Sequence, residues 1–183
     1  MKNIILKVLA TLFIAVGVVC ADAKAAEVSP EYRKSLKLAA SVVAKYSEIF
    51  KAAGRKYNVD PLIGAGIMAV ETHGKCRNHK TPGAKGCMQV KEIAFKEVQR
   101  VYGKNEFGDN LNDVKTNIFV AFAYFAWMRD NPEYSFDYLE YQLVAYKDGN
   151  GNAEHMSRKK VLAHDYIQKF WAAMDYLPQV MKL

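Results

Sequence analysis

The amino-acid sequence predicts an all-α domain, and three observations carry that expectation. Apolar residues return at three- and four-residue steps in successive windows from Glu31 to Tyr176. Between the windows stand helix-start and helix-stop residues: Asp60-Pro61, Asp113, Asn131-Pro132 and Gly149-Asn150-Gly151. Nowhere do β-branched residues alternate over the length of a strand. The chain has 183 residues, enough for one ordinary domain and too few for two. With 51% apolar and 25% charged residues it is neither a disordered tail nor a low-complexity fibre. No internal period recurs, which argues against solenoids and propellers.

Lys2 and Lys7 flank the start of an apolar run from Val8 to Cys20, and Ala21-Asp22-Ala23 follows. A basic start, a short apolar stretch and small residues in an A-x-A arrangement read as a secretory signal cleaved after Ala23. The alternative is a retained anchor, for which the run is short, since a spanning helix needs about 20 apolar residues. A lipid-modified Cys20 is disfavoured by Val19 in front of it. The expected organisation is therefore a signal segment, residues 1–23, and a single exported domain, residues 24–183, placed in the periplasm or cell envelope. A monomer is expected.

The formal charge of +7 favours anionic partners: nucleic acid, phospholipid head groups or bacterial wall polymer. Export makes nucleic acid a poor partner, and the basic residues are scattered rather than clustered. Export also sets the redox context for Cys76 and Cys87, the pair left once Cys20 is removed. In an oxidising compartment they read as one disulfide. Two buried thiols are the alternative. His73, Cys76, His79 and Cys87 are zinc-ligand types, but their order and spacing match no common zinc pattern, so neither metal nor cofactor is expected.

The helices follow in order. The first pattern runs from Glu31 to Tyr57 on Leu36, Ala39, Ala40, Val43, Tyr46, Ile49, Phe50 and Ala53, with Gly54 as its kink or end. Asp60 as N-cap and Pro61 at the first helical position open the second, which ends near Gly74. Gly64, Ala65 and Gly66 leave room for a neighbouring helix to approach closely. A loop with the cysteines, Pro82, Gly83 and Gly86 follows. Further helices are expected over Ile93 to Tyr102, Val114 to Arg129 behind Asp113, Phe136 to Tyr146, and Ser157 to Tyr176.

The candidate chemistry sits on Glu71, near the C-terminal end of the second helix. Ile67, Ala69 and Val70 make its surroundings apolar. Burial and the unpaired carbonyls of a helix end both disfavour a charged carboxylate, and a carboxyl kept protonated near neutral pH is suited to donating to a glycosidic oxygen. Periodicity alone would favour a surface glutamate at a helix end.

Three blocks decide otherwise. Tyr57-Asn58-Val59-Asp60-Pro61-Leu62 leads to Ala69-Val70-Glu71; then come Gly83-Ala84-Lys85-Gly86-Cys87-Met88-Gln89 and Ala145-Tyr146-Lys147-Asp148-Gly149. Together and in this order they resemble the lytic transglycosylase family with the goose-type, lysozyme-like fold. The second block is similar to the family's G-A-x-G-L-M-Q, with Cys87 for Leu, and the third to A-Y-N-x-G, with Lys147 for Asn. Thr72-His73 stands where the family usually follows its glutamate with Ser. Asn117 sits where the family often has an asparagine. The resemblance covers about residues 44–151.

It implies a lysozyme-like helical domain with a loop-built cleft, and Glu71 as the catalytic acid and then base. Glu71 would protonate the oxygen between MurNAc and GlcNAc. It would then take the proton of the MurNAc C6 hydroxyl as that oxygen closes on C1, giving 1,6-anhydroMurNAc. Met88, Gln89, Tyr146 and Asn117 are the implied substrate-binding residues, with a core tyrosine, core filler and a loop cap as the alternatives for Tyr146, Met88 and Gln89, and peptidoglycan strands are the implied partner. The physical argument is compatible with one carboxyl. Hydrolysis by the two-carboxylate route needs a second acid, and none stands close to Glu71 in sequence; Glu92 and Asp109 are the nearest downstream. A muramidase of the same fold and a non-catalytic wall-binding or assembly protein are the alternatives. General wall turnover and local opening for a wall-spanning secretion or conjugation machine both fit the resemblance. Tyr124, Phe125 and Trp127 form an aromatic row expected to be core, and Arg158-Lys159-Lys160 reads as a solvated helix start.

Overall fold

A computed structural model of the chain describes residues 28–76, 83–134 and 136–181, so the expected signal segment lies outside the described residues. Ser29 and Pro30 open α1 (Pro30–Val43), with the Ser29 hydroxyl accepting from the Tyr32 amide at 3.3 Å. One continuous helix to Tyr57 was expected. Instead a 3₁₀ turn, Ala44–Tyr46, separates α1 from α2 (Ser47–Tyr57). No helix breaker at 44–46 explains the change of pitch. Gly54, expected as the break, lies inside α2. A Cβ there would come within 2.6 Å of the Val59 carbonyl oxygen, so glycine allows the next turn to fold tightly back. Asn58, left-handed with φ 51°, ends α2.

Asp60 caps α3 (Pro61–Thr72), its carboxylate accepting from the Leu62 amide at 2.8 Å. This helix runs through the middle of the domain, packed against α1, α2 and three later helices, α5 (Val114–Asp130), α9 (Asp165–Met174) and α10 (Leu177–Met181). The expected close approach at its glycines is present. A Cβ on Gly64 would stand 2.0 Å from the Phe122 ring, and one on Gly66 2.5 Å from Phe170. Phe50, Phe122, Phe170 and Met68 fill the core around it.

After α3 comes a feature absent from the sequence reading: a two-stranded antiparallel hairpin, β1 (Ala84–Lys85) with β2 (Val90–Lys91). Strands this short carry no alternation to detect. Next are α4 (Glu92–Tyr102), a 3₁₀ turn (Lys104–Glu106) and α5 (Val114–Asp130), which Asp113 caps through the Thr116 amide at 2.7 Å. The next helix, α6 (Leu139–Asp148), begins later than expected. Phe136 instead tucks under its start, where its carbonyl accepts from Gln142 Nε2 at 3.0 Å.

The single final helix that was expected is three, and α7 (Asn150–Glu154) precedes them. These are α8 (Arg158–Leu162), α9 (Asp165–Met174) and α10 (Leu177–Met181). His164 makes the first break, its imidazole Nδ1 accepting from the Tyr166 amide at 3.3 Å as an N-cap for α9. Arg158 of the basic run is not merely solvated: it pairs with Glu140 at 3.0 Å and lies over the Tyr138 ring. Among the described residues, no helix is long and apolar enough to cross a membrane.

Candidate active site

The last turn of α3 carries Glu71, with only 8% of its side chain exposed. Two successive left-handed residues, His73 (φ 53°) and Gly74 (φ 69°), turn the chain away immediately afterwards. His73 is fixed at this turn: Nε2 lies 3.2 Å from Ser35 Oγ of α1, and the ring meets Tyr32 edge-on. Burial lowers its pKa below the usual histidine range, helped by Lys75 and Lys169. Glu71 thus sits on a helix end that is clamped to α1.

Four ties hold the glycine-rich loop, two to this helix end and two to α5 and α6. Cys76 and Cys87 are joined by a disulfide, as export predicted. Thr72 Oγ1 donates to the Cys87 carbonyl at 2.9 Å. Asn117, wholly buried on α5, accepts from the Met88 amide at 2.8 Å and donates to the Lys85 carbonyl at 3.0 Å. Tyr146 of α6 donates its hydroxyl to the Met88 carbonyl at 2.7 Å. Gly86 is required twice over: its φ is +69°, and a Cβ would stand 2.5 Å from Asn117.

Around Glu71 stand phenols from three helices. The Tyr146 hydroxyl titrates well above the usual tyrosine range because of burial, then the nearby Glu71 charge, then Tyr124. Tyr166 of α9 is 3% exposed and is raised in the same way, by burial, then Glu71, then Tyr146. Its hydroxyl faces Glu71 as a donor to an acceptor, although the pair is not aligned as a full hydrogen bond. Tyr32 is pushed up to about 12 by burial, then by Asp165 and Glu71. Lys147 of α6 reaches the carboxylate itself. Its ammonium is 3.3 Å from Glu71 Oε2 and lies over the Tyr166 ring, 5.6 Å from the centroid.

Gln89, left-handed with φ 50°, donates to the Gly86 carbonyl at 2.7 Å and lines a small crevice with Tyr146, Tyr124 and Gly149. That crevice adjoins a cleft of about 740 Å³ between α4 and α5, sharing Ile93, Ala94, Tyr124 and Gly149 with it. Glu71 lines neither the crevice nor the larger cleft. Tyr124 and Trp127, expected as core, stack at 5.4 Å and line it from α5.

Glu71 and Tyr146, named from sequence, therefore come together, and Gln89 lines a crevice with Tyr146. Met88 and Asn117 are wholly buried, so what the structure gives them is the shape of the loop. Both zinc-type cysteines are engaged in their disulfide, His79 lies outside the described residues, and no metal-binding cluster occurs among the described residues. Sequence reasoning missed Tyr32 and Tyr166. Both lie outside the stretch that carried the resemblance, and each sits in an ordinary apolar helix pattern.

The sequence model of the Transglycosylase SLT domain family matches residues 48–168. The match runs past Gly151 into α9 and takes in Tyr166. A comparison with curated proteins finds no match.

Proposed function

The chain belongs to the transglycosylase SLT family, and from that premise we propose that it is an exported peptidoglycan lytic transglycosylase acting through Glu71. The observation that carries this is a nearly buried carboxyl at a clamped helix end, ringed by neutral phenols and set beside the glycine-rich loop. Such a group can change protonation twice in one cycle with little reorganisation around it. Glu71 donates its proton to the oxygen linking MurNAc to GlcNAc as that bond breaks. The oxocarbenium-like C1 is assisted by the sugar's own N-acetyl carbonyl. Glu71, now ionised, accepts the C6 hydroxyl proton while O6 bonds to C1. The proton is regained, no water is consumed, and the product ends in 1,6-anhydroMurNAc.

The nearest downstream acids are engaged elsewhere or exposed. Glu92 pairs with Lys85 at 3.1 Å, Asp113 caps α5, and Asp109 is exposed in the loop before α5. This favours closure by the tethered hydroxyl over attack by an activated water. The tethered group has an effective concentration on the order of 10⁵ M or more when well oriented. Gln89 and Tyr146 border the sugar next to Glu71, and the aromatic cleft along α5 takes the strand onward. Export by cleavage after Ala23 delivers the domain to its substrate.

The test is digestion of purified sacculi followed by mass spectrometry of the muropeptides. Products one water lighter than hydrolytic ones, with no new reducing end, are expected. Glu71→Gln should fold normally and lose nearly all activity. Ordinary reducing MurNAc would identify a muramidase, and an active, folded Glu71→Gln protein would remove Glu71 from the mechanism.

A further inference from the structure

An ammonium beside the proton donor poses a chemical problem. A general acid must be protonated before it acts, and a cation at 3.3 Å favours the ionised carboxylate. Among the described residues, the titratable groups facing Glu71 include Tyr32 from α1, Tyr146 and Lys147 from α6, and Tyr166 from α9. The phenols are held neutral across the physiological range. Tyr124 of α5 lies behind Tyr146, edge-on to its ring, and is itself pushed up to about 12 by burial. Of the ions nearby, Lys169 is paired with Asp165, and His73, on the end of the same helix, is turned toward Ser35. Among the described residues, Lys147 is the cation paired with the carboxyl.

The two partners differ in freedom. Glu71 is 8% exposed and Lys147 43%, so the carboxyl is fixed while the ammonium stands at the open side on a flexible stem. The face of Tyr166 gives the ammonium its resting place. A strand that brings a glycosidic oxygen to the carboxyl must approach it from the open side, where Lys147 lies.

We propose that Lys147 is a positioning residue that rests Glu71 in its ionised form while the cleft is empty and releases it when a glycan strand enters. This rests on the reading of Glu71 as the catalytic acid. On release, Glu71 takes one proton from solvent and passes it to the glycosidic oxygen. It recovers one from the C6 hydroxyl, and returns it to solvent when product leaves and the pair re-forms. Proton uptake is thereby coupled to binding, and the empty enzyme is held out of its acid form.

The experiment compares pH–rate profiles of the wild type, Lys147→Met and Lys147→Arg on soluble, uncrosslinked glycan strands. The alkaline limb of kcat/KM reports the free enzyme and that of kcat the complex. Methionine keeps the stem and removes the charge, so its kcat/KM limb should move up by about one pH unit or more. Its kcat limb should move less, because the pair is already broken in the complex. Arginine should keep the wild-type kcat/KM limb. Coincident kcat/KM limbs for wild type and Lys147→Met would overturn the proposal. A ¹³C-carboxyl NMR titration of the free proteins reads the same equilibrium without turnover; a Glu71 midpoint unmoved by Lys147→Met would overturn it equally. Failure of the underlying mechanism shows differently, as activity in Glu71→Gln, whatever the limbs do.

Discussion

Asn117 offers the sharpest test of how the site is built. Its amide is wholly buried and makes two hydrogen bonds to one loop, accepting from the Met88 amide and donating to the Lys85 carbonyl. Asn117→Ala removes both partners at once. The groups left behind sit in a place that Gly86 fills closely, with no room even for a Cβ beside Asn117. Each buried backbone group left unsatisfied costs about 1–3 kcal/mol. Partial relaxation, or a water in the vacated volume, recovers some of this, so the expected loss is about 2–4 kcal/mol in total. The disulfide and the Thr72 bond still hold the loop near Cys87, so the damage falls on Lys85 to Gln89, the stretch facing the cleft. Urea denaturation should show a lower midpoint with an unchanged slope, and release of fragments from sacculi should slow although Glu71 is intact. Asp113→Ala on the same helix is the control: it removes a cap worth about 1 kcal/mol and does not touch the loop. An Asn117→Ala protein within about 0.5 kcal/mol of wild type and fully active would refute the clamp, since surface-like substitutions stay within that range.

The remaining predictions concern the rest of the frame. Thiol titration of the unreduced, denatured mature chain should find Cys76 and Cys87 unreactive, and reduction should lower stability by about 2–3 kcal/mol from the lost loop constraint. Gly64→Ala should lower the melting temperature: the new Cβ meets the buried Phe122 ring at 2.0 Å, and overpacking of about 1–3 kcal/mol exceeds the gain in helix propensity of about 1 kcal/mol. A more stable Gly64→Ala protein would contradict the packing of α3 against α5. His73 titrates below its unfolded value, so the unfolded chain binds the proton first as pH falls. Its share of stability is present above the ordinary histidine pKa of about 6.5 and is lost as pH drops through that value toward the folded one. Thermal melts from pH 7.5 to 5 should show a decline that His73→Gln lessens.

Much of the fold was legible because its signals are local. Asp60-Pro61 and Asp113 name their helices through single capping bonds to Leu62 and Thr116, and no tertiary contact is needed to read them. The errors fall where a local signal has a tertiary cause. Gly54 looks like a breaker, yet its missing Cβ serves the return of Val59 toward α2. Phe136 fits the periodicity of α6, yet its carbonyl is taken by Gln142 and its ring by the core, so the helix starts after it. The stretch from Ser157 to Tyr176 keeps an apolar period across two breaks, because α8, α9 and α10 all turn an apolar face to the same core.

The candidate site divides along the same line. Glu71, Gln89 and Tyr146 were legible because they lie in short blocks with their own spacing. Tyr32 and Tyr166 were not, since each is one aromatic among many in an amphipathic helix and becomes special only by facing Glu71. Lys147 was visible as a departure from the A-Y-N-x-G pattern, but its meaning depends on a partner 76 residues away in the chain. Burial and the helix end, both readable from sequence, favour a protonated Glu71, whereas the cation beside it is not readable there. The structure sets these influences against one another at a single carboxyl. Burial and a helix end act continuously, whereas the ammonium sits at the open side on a flexible stem and can be withdrawn. A carboxyl read as acid in one step and base in the next gains from having one of its opposing influences removable, and that is a physical reason for the opposing cation to stand on the exposed partner of the pair.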